Sequence, residues 1–437
     1  MGAFERSDAL RERAHALIPG GAHTYAKGDD QFPRRSPGFI VRGEGCRVWD
    51  ADGNEFIEYG MGLRSVLLGH AYPAVVEAVQ RQLQLGTNFT RPASIEVEAA
   101  EEFLGVVTGA EMVKFTKDGS TANDAAVRLA RAHTGRDLVA VCADHPFFSY
   151  GDWFIGTTPM NAGIPKAIRD LTLPFRYDDL GSVERLFAEH PGRIACLILE
   201  ASRGEDPREG FLHGVQRLCR EQGAVFILDE CITGFRWHLG GAQRHYGITP
   251  DLSTFGKALA NGFAVSALAG RRELMELGGI RHRRDRVFLL STTHGGETHA
   301  LAAAIAAMRV YRSEPVVEHL HRQGARLAAG FEALARAHGV ADRVRVSGTP
   351  CNLTFATLGP SGAPCQAFRA LFLQELIARG ILAPSLVISY SHRDAEVDRT
   401  LEALDGALGV YRRALDAGGA LRFLDGPPTQ LVFRRRC

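Results

Sequence analysis

Three short runs of apolar residues constrain the fold of this 437-residue chain more than any other feature. They are LVAVCA (138–143), IACLILE (194–200) and AVFILDE (224–230), and none of them alternates with polar residues. Such runs are typical of strands buried on both faces, as in a parallel sheet covered by helices. Helical patterns lie between them, for example TANDAAVRLARAHTG (121–135), which ends at a glycine. The alternation predicts an α/β fold with a mostly parallel sheet.

The two ends of the chain have a different pattern. The segment FIVRGEGCRVWDADGNEFIEYG (39–60) alternates and turns at Asp52-Gly53, which predicts a β-hairpin. Near the other end, VRVSGTPCNLTFAT (344–357) precedes the helical pattern AFRALFLQELIARG (367–380). Both ends therefore favour a smaller α+β domain.

The length of the chain exceeds what one simple core usually supports, so we expect two domains. A large domain is predicted at 66–325. The smaller domain is predicted to combine an N-terminal segment, 1–65, with a C-terminal segment, 326–437.

Composition excludes several classes of partner. The net charge of +1 gives no reason to expect nucleic acid or an acidic membrane, and the basic run Arg281–Arg286 is interpreted as a solvated loop rather than a binding patch. Nothing approaches the ~18 uninterrupted apolar residues of a membrane span, and residues 1–17 lack the apolar core of a signal peptide. The eight cysteines are scattered, which fits reduced thiols and a cytoplasmic location.

Ligands of open α/β sheets bind at the carboxyl ends of the strands, so polar residues that follow apolar runs are candidate site residues. A Gly-Ser-Thr turn at 119–121 opens a predicted helix, where backbone N–H groups and hydroxyls can bind a phosphate, although a simple helix cap is an alternative. Asp229 and Glu230 end the run AVFILDE. A buried acid there forms a salt bridge or a cap, or else it pairs with a protonated nitrogen.

Lys257 lies among small residues in LSTFGKALANG (252–262), directly after a short apolar run. A lysine in a partly desolvated cleft can act as a nucleophile and form a Schiff base with an aldehyde. A phosphate-binding turn, an acid for a ring nitrogen and a Schiff-base lysine are the three requirements of pyridoxal phosphate. The three motifs together therefore predict this cofactor.

Several longer segments carry a family resemblance. LDECITGFR (228–236) followed by GITPDLSTFGKALANGFAVSALAG (247–270) resembles the core signature of class III aminotransferases. Three further segments are similar to the glutamate-1-semialdehyde aminomutase-like branch: LIPGGAHTYAKG (17–28), EMVKFTKDGSTANDAAVRLARAHTGR (111–136) and GILAPSLVISYSH (380–392). The resemblance covers nearly the whole chain. It implies the fold type I of pyridoxal-phosphate-dependent transferases and a homodimer whose active sites form between the subunits.

The resemblance also implies roles for individual residues. Lys257 would bind pyridoxal phosphate and move protons during catalysis, and Asp229 would pair with the pyridine nitrogen. Gly119 and Ser120 would bind the phosphate, and Thr293 would reach the phosphate of the neighbouring subunit.

Two further positions are predicted near the cofactor. Phe147 matches an aromatic residue that stacks on the cofactor ring, and Glu200 matches a glutamate at a strand end close to it. By the same resemblance, the segment from His145 to about Pro165 is expected to be a mobile lid.

Four positions differ from the family pattern and are predicted to bind substrate. Thr24 and Lys27 stand where the aminomutase has a serine and an arginine for the substrate carboxylate. Phe148 stands where a histidine is usual, and Glu297 stands where an asparagine is usual. Lysine lacks the bidentate fork of arginine, so these differences favour another substrate.

The leading functional prediction is a pyridoxal-phosphate-dependent aminotransferase that moves an amino group between a donor and a carbonyl substrate in a biosynthetic pathway. An aminomutase, which shifts an amine within one molecule, is the alternative. A cofactor-binding scaffold without catalysis is the third interpretation. The run HGGETH (294–299) lacks the H-E-x-x-H spacing of a zinc site and is interpreted as a loop, and His145 and His392 as packing or loop residues. No metal is predicted.

Overall fold

The computed structural model describes residues 4–144, 147–202 and 204–435. The chain forms two compact units. The smaller unit contains the chain up to Leu63, then Leu67–Tyr72 and Glu318–Arg434, and the larger contains Arg64–Val66 and Pro73–Val317. The boundaries at 65 and 325 remain a prediction about independently folding domains.

Thirteen strands form three sheets within the described residues. They are β1 (Ile40–Glu44), β2 (Arg47–Asp50), β3 (Glu55–Glu58), β4 (Met112–Thr116), β5 (Leu138–Cys142), β6 (Thr172–Phe175), β7 (Ile194–Glu200), β8 (Val225–Glu230), β9 (Leu252–Phe255), β10 (Ser266–Gly270), β11 (Val344–Ser347), β12 (Thr354–Thr357) and β13 (Ile381–Leu382).

Fifteen helices occur in the same described ranges. They are α1 (Glu5–Leu17), α2 (Met61–Arg64), α3 (Pro73–Leu83), α4 (Ser94–Val106), α5 (Gly119–Thr134), α6 (Asp152–Ile155), α7 (Lys166–Arg169), α8 (Leu180–Glu189), α9 (Phe211–Gln222), α10 (Ala242–His245), α11 (Arg272–Met275), α12 (Thr298–Ser313), α13 (Val316–Ala337), α14 (Gln366–Ile377) and α15 (Asp394–Asp416).

The larger unit contains a seven-stranded sheet in the order β4-β10-β9-β8-β7-β5-β6. β10 runs antiparallel to both β4 and β9, and the five strands from β9 to β6 are parallel. Every residue of β5, β7 and β8 is buried. Burying one large aliphatic side chain contributes about 1.5–3 kcal/mol relative to leaving it exposed, so these strands form the core. The α/β fold and the three strands predicted from apolar runs are confirmed.

The smaller unit contains a four-stranded sheet in the order β1-β2-β3-β13 and a separate β11-β12 pair. The predicted hairpin is confirmed, since β2 and β3 pair antiparallel around Gly53. The Asp50 side chain accepts the N–H groups of Asp52 and Asn54 at 3.0 and 2.7 Å, and Gly53 has φ +86°. Strand β13 pairs parallel with β3, so both ends of the chain build this sheet.

The short helix α2 is a left-handed turn. Its residues have φ values of +44°, +58°, +57° and +74°, and only the second, Gly62, is a glycine. A left-handed conformation costs roughly 1–2 kcal/mol for each L-residue with a side chain. At the end of the turn, the Arg64 carbonyl accepts a hydrogen bond from Nη2 of the buried Arg236 at 2.8 Å.

The structure also bears on two other features of the sequence, namely possible membrane spans and the scattered cysteines. Within the described ranges, no helix combines the length and apolar character that crossing a bilayer requires. Seven of the eight cysteines lie in the described residues, and none of these seven forms a disulfide. Cys142, Cys196 and Cys231 are buried, as expected for small apolar side chains.

His392 is expected to make the stability of the smaller unit depend on pH. Its buried ring stacks on Tyr59 with a centroid distance of 4.3 Å, and its Nδ1 accepts the Ser389 N–H at 3.0 Å. Burial lowers the pKa of His392 from 6.5 to about 3. The unfolded chain therefore binds a proton as the pH falls below 6.5, whereas the folded chain does not, and stability is lost from pH 6.5 towards pH 3.

The loss between pH 7 and pH 5 is expected to be about 2 kcal/mol larger in the wild-type protein than in His392→Gln. Urea unfolding at several pH values measures this difference. The exposed His23 provides a control for the substitution itself, because His23→Gln should unfold at the same urea concentration as the wild type at pH 7. Equal losses in the wild type and in His392→Gln would contradict the assignment.

Candidate active site

Three buried polar residues lie side by side at the carboxyl edge of the large sheet. Glu200 of β7 pairs in register with Asp229 of β8, and Asp229 pairs with Thr254 of β9. All three side chains are buried. Parallel strands bring their carboxyl ends to one edge, which is the edge where such sheets bind ligands.

Asp229 has a defined set of donors. Its Oδ1 accepts the Cys231 N–H at 2.8 Å and its Oδ2 accepts Asn123 Nδ2 at 2.8 Å. Burial raises the pKa of Asp229 above its ordinary value, and the Lys257 charge and these donors oppose that rise. Each oxygen of a carboxylate can accept more than one hydrogen bond. Asp229 can therefore also accept a hydrogen bond from a protonated ring nitrogen.

Lys257 begins a short 3-10 turn, Lys257–Ala260, directly after β9. Its φ of +44° is left-handed, an uncommon conformation for a residue with a side chain. The Tyr311 hydroxyl donates to the Ala258 carbonyl at 2.6 Å and holds the turn. A Cβ at Gly256 would lie 2.7 Å from Ser266 Oγ, so a larger residue before Lys257 would force the Ser266 side chain to move. The small residues around Lys257 thus permit close packing of its backbone.

The N-terminus of α5 provides donors for an anion. Thr121 N–H bonds to the Asp118 carboxylate at 2.8 Å and Ala122 N–H to the Asp118 carbonyl at 3.2 Å. Among the described residues, no partner accepts the N–H groups of Gly119 and Ser120, so these two groups can bind a ligand. Ser120 Oγ accepts the Tyr150 N–H at 3.2 Å, so its own proton can be donated. This arrangement suits a phosphate.

Gly119 brings this helix end close to the acid. A Cβ at Gly119 would lie 2.6 Å from Cys231 Sγ, two residues after Asp229. A glycine at residue 119 therefore lets the helix start and the end of β8 lie close together without displacing Cys231. The donor set for a phosphate and the acid for a ring nitrogen belong to one site, and both fit pyridoxal phosphate.

The two phenylalanines at 147 and 148 have different environments. Phe147 is 46% exposed and its ring lies edge-on to Phe154 at 6.0 Å. Phe148 is only 2% exposed and packs against Phe154 at 5.5 Å. Substrate binding by Phe148 stays a prediction, for a ring that is packed against Phe154.

The first part of the segment predicted to be a lid is hydrogen-bonded to α5. The Asp124 carboxylate accepts Ser149 Oγ at 2.7 Å and Trp153 Nε1 at 2.6 Å. His145 lies outside the described residues. Mobility of the segment up to about Pro165 stays a prediction.

Glu297 is already paired within the larger unit. Its carboxylate binds Lys117, two residues before Gly119, and lies 3.0 Å from His294 Nδ1. The hydrogen bond from Lys117 holds the pKa of Glu297 below its usual value. The neighbouring Thr293 is exposed, and its carbonyl accepts Asn88 Nδ2 at 2.9 Å. Lys117 thus already neutralises the Glu297 carboxylate. Substrate binding by Glu297 stays a prediction.

Two predicted substrate residues belong to the smaller unit. Thr24 and Lys27 are exposed, and the Thr24 carbonyl accepts the Lys27 N–H at 2.8 Å. Lys27 lines a cavity of about 450 Å³ in this unit together with Arg11, Glu58 and His70. Substrate binding by Thr24 and Lys27 stays a prediction.

Asn123 is a site residue that the sequence interpretation missed. Its fully buried amide bonds to Asp229, to the Phe148 carbonyl and to Thr254. One signal was available. Asn123 is a polar residue on the apolar face of the predicted helix, and a buried asparagine needs hydrogen-bond partners. Metal binding has no comparable support, since no three His, Cys, Asp or Glu side chains in the described ranges are grouped to hold an ion.

The sheet, the helix end with N–H donors for an anion, the buried acid and the strand-end lysine fit a pyridoxal-phosphate-dependent enzyme of fold type I. The chain belongs to the class-III aminotransferase family, which matches residues 25–408. The predicted family, fold and cofactor are confirmed, and the cofactor is pyridoxal phosphate.

Three known proteins illustrate the similarity. The chain is 35% identical to the glutamate-1-semialdehyde 2,1-aminomutase of Roseiflexus castenholzii, over 94% of this chain and 99% of that protein. It is 29% identical to the FumI protein of Sphingopyxis sp. MTA144, solved in its PLP internal aldimine form, with a TM-score of 0.87 over 96% and 99% of the two chains. It is 28% identical to an omega-transaminase from Sphaerobacter thermophilus, with a TM-score of 0.84 over 93% and 98%.

Proposed function

We propose that this protein is an aminotransferase that moves an amino group between an amino donor and a carbonyl substrate in a biosynthetic pathway. The observation that carries the proposal is the buried Asp229 carboxylate, held by two N–H donors near Lys257 and beside the start of α5. An acid with this environment is suited to keeping a ring nitrogen protonated. The changed positions Thr24, Lys27, Phe148 and Glu297 support transfer to a separate carbonyl substrate.

The residues of the chain have distinct tasks in this reaction. When bound, pyridoxal phosphate supplies a sink for the electron pair left at the amine-bearing carbon. The Lys257 amine removes the proton from that carbon and returns it at a second position. Asp229 accepts the hydrogen bond of the protonated pyridine nitrogen and holds that proton in place. Gly119 and Ser120 bind the phosphate through their N–H groups and the serine hydroxyl.

The remaining predicted residues belong to the same proposal. Phe147 stacks on the cofactor ring, Glu200 lies beside Asp229 in the adjacent strand, and Thr293 reaches the phosphate of a second subunit. The proposal thus includes a cytoplasmic homodimer that shares its active sites. The exposure of Phe147 and Thr293 supports these roles, because an exposed side chain is accessible to the cofactor or to a second subunit.

An aminomutase is the second candidate. It is favoured by the 35% identity to a protein named glutamate-1-semialdehyde 2,1-aminomutase over nearly the full length of both chains. An aminomutase keeps the amino group within one substrate molecule and needs no external donor.

Product analysis distinguishes the two reactions. With a panel of amino donors and no acceptor, the aminotransferase is expected to release about one carbonyl product per active site, because the cofactor keeps the amino group. Added carbonyl acceptors should then give multiple turnovers, measured by chromatography of both products. Conversion of glutamate-1-semialdehyde to an isomer, without carbonyl release from any donor, would instead establish the aminomutase.

A further inference from the structure

We propose that Asn123 is a positioning residue for the reaction, whose amide fixes the Asp229 carboxylate and ties it to β9 and to the backbone at Phe148. The inference rests on the proposed function, in which Asp229 binds the ring nitrogen. The role it assigns to Asn123 is exerted through Asp229.

All polar atoms of Asn123 are engaged. Nδ2 donates to Asp229 Oδ2 at 2.8 Å and to the Phe148 carbonyl at 2.7 Å. Oδ1 accepts the Thr254 hydroxyl at 2.7 Å. An amide has two N–H donors and one carbonyl oxygen, so Asn123 uses both of its donors here.

The orientation of this amide is unambiguous. Both oxygens that face Nδ2 are acceptors, the carboxylate of Asp229 and the carbonyl of Phe148. Rotation by 180° would place Oδ1 against these two acceptors and Nδ2 against the Thr254 hydroxyl, losing two hydrogen bonds. Because Asn123 is fully buried, water cannot replace them. The amide therefore holds Asp229 Oδ2 in one position.

The location of Asn123 links the two ends of the cofactor site. Asn123 lies four residues after Gly119 and three after Ser120, so all three share one face of α5. Four residues correspond to about 6 Å of rise along the helix. The same rigid helix thus carries the phosphate-binding turn at its start and the partner of Asp229 one turn later. Through Thr254, three residues before Lys257, it also contacts the strand that leads to the lysine.

Asn123→Asp tests the role with little change in shape. The variant keeps an acceptor for Thr254 but replaces both donors by acceptors, so a carboxyl group faces Asp229. One of the two acids must then bind a proton, and Asp229 no longer presents a fixed carboxylate to the ring nitrogen. The affinity of the apo-protein for pyridoxal phosphate is expected to fall about 10- to 100-fold.

The ring nitrogen itself provides a readout that does not depend on activity. With ¹⁵N-labelled pyridoxal phosphate bound to the enzyme, the nitrogen resonance in Asn123→Asp is expected to move from the protonated towards the unprotonated position. Asp124→Asn is the matched control. Asp124 is the next residue of α5 and binds Ser149 and Trp153, but it makes no hydrogen bond to Asp229. This variant should keep the wild-type nitrogen resonance.

A double variant protects the test against misfolding. Asn123→Asp combined with Asp229→Asn exchanges the acid and the amide, so one acid–amide pair is restored. The apo-protein of the double variant should unfold at a higher temperature than that of Asn123→Asp. Absence of this recovery would show that the two side chains do not interact directly, and would overturn the inference.

The nitrogen resonance separates failure of this inference from failure of the proposed function. If Asp229→Asn leaves the resonance unchanged, Asp229 is not the ring partner and the proposed function fails at that point. If Asp229→Asn shifts the resonance while Asn123→Asp keeps both the resonance and the cofactor affinity of the wild type, only the role of Asn123 is overturned.

Discussion

Lys257→Ala is expected to lower turnover by about 10⁴-fold or more, because it removes both the nucleophile and the base of the reaction. The fold should remain, since the neighbouring turn is held by the Tyr311 hydroxyl at the Ala258 carbonyl. Rates with the best donor and acceptor pair, with cofactor in excess, measure the effect. Near-normal turnover would contradict the assigned role.

The other lysines of the chain provide a control for Lys257→Ala, and few of them could replace the Lys257 amine. The sequence has five lysines. Lys117 and Lys166 are paired with carboxylates, Lys27 belongs to the smaller unit, and Lys114 is exposed on β4. Lys114→Ala is therefore the matched control and should retain the wild-type rate. A comparable loss in Lys114→Ala would show that the assay reports general damage.

Asp229→Asn is expected to lower turnover about 10²- to 10³-fold, because a neutral amide no longer favours the protonated ring nitrogen. The amide NH₂ would also meet a donor, either Cys231 N–H or Asn123 Nδ2, at a cost of about 1–3 kcal/mol in the free energy of unfolding. Steady-state rates and urea unfolding measure the two effects separately.

Glu230→Gln is the control for Asp229→Asn. Glu230 is the next residue of β8 and equally buried, but successive strand residues point to opposite faces. Its carboxylate accepts Ala242 N–H at 2.9 Å and Gln243 N–H at 2.7 Å. Glu230→Gln should therefore lose stability with little change in rate. If both variants lost rate equally, Asp229 would have no special role.

The parts of the structure that sequence could predict depend on local patterns. Continuous apolar runs identified β5, β7 and β8 because strands buried on both faces need apolar side chains at every position. The turn at Gly53 was predictable because Asp-Gly favours a hairpin turn. Lys257 and Asp229 were predicted as site residues because Asp229 lies at the end of one apolar strand and Lys257 follows another.

The features that sequence could not predict depend on partners distant along the chain. Asn123 bonds to residues 106 and 131 positions away, and nothing near it in sequence indicates them. The left-handed turn at Met61–Arg64 contains one glycine among four residues, and Arg236 bonds to its end from 172 positions away. The packing of Phe148 against Phe154 could not be predicted either, because the sequence position of Phe148 indicated only a possible contact with substrate.

The pairing of β3 with β13 has a consequence for how the chain folds during synthesis. Ile57 and Ile381 are register partners, so the ribosome must add 324 residues before β3 can pair with β13, its second neighbour in the sheet. At about 5–20 residues per second, this takes roughly 15 to 65 s. All segments of the larger unit that form its sheet are synthesised within that interval. Until then the nascent hairpin presents an open strand edge, the kind of surface that chaperones protect from aggregation.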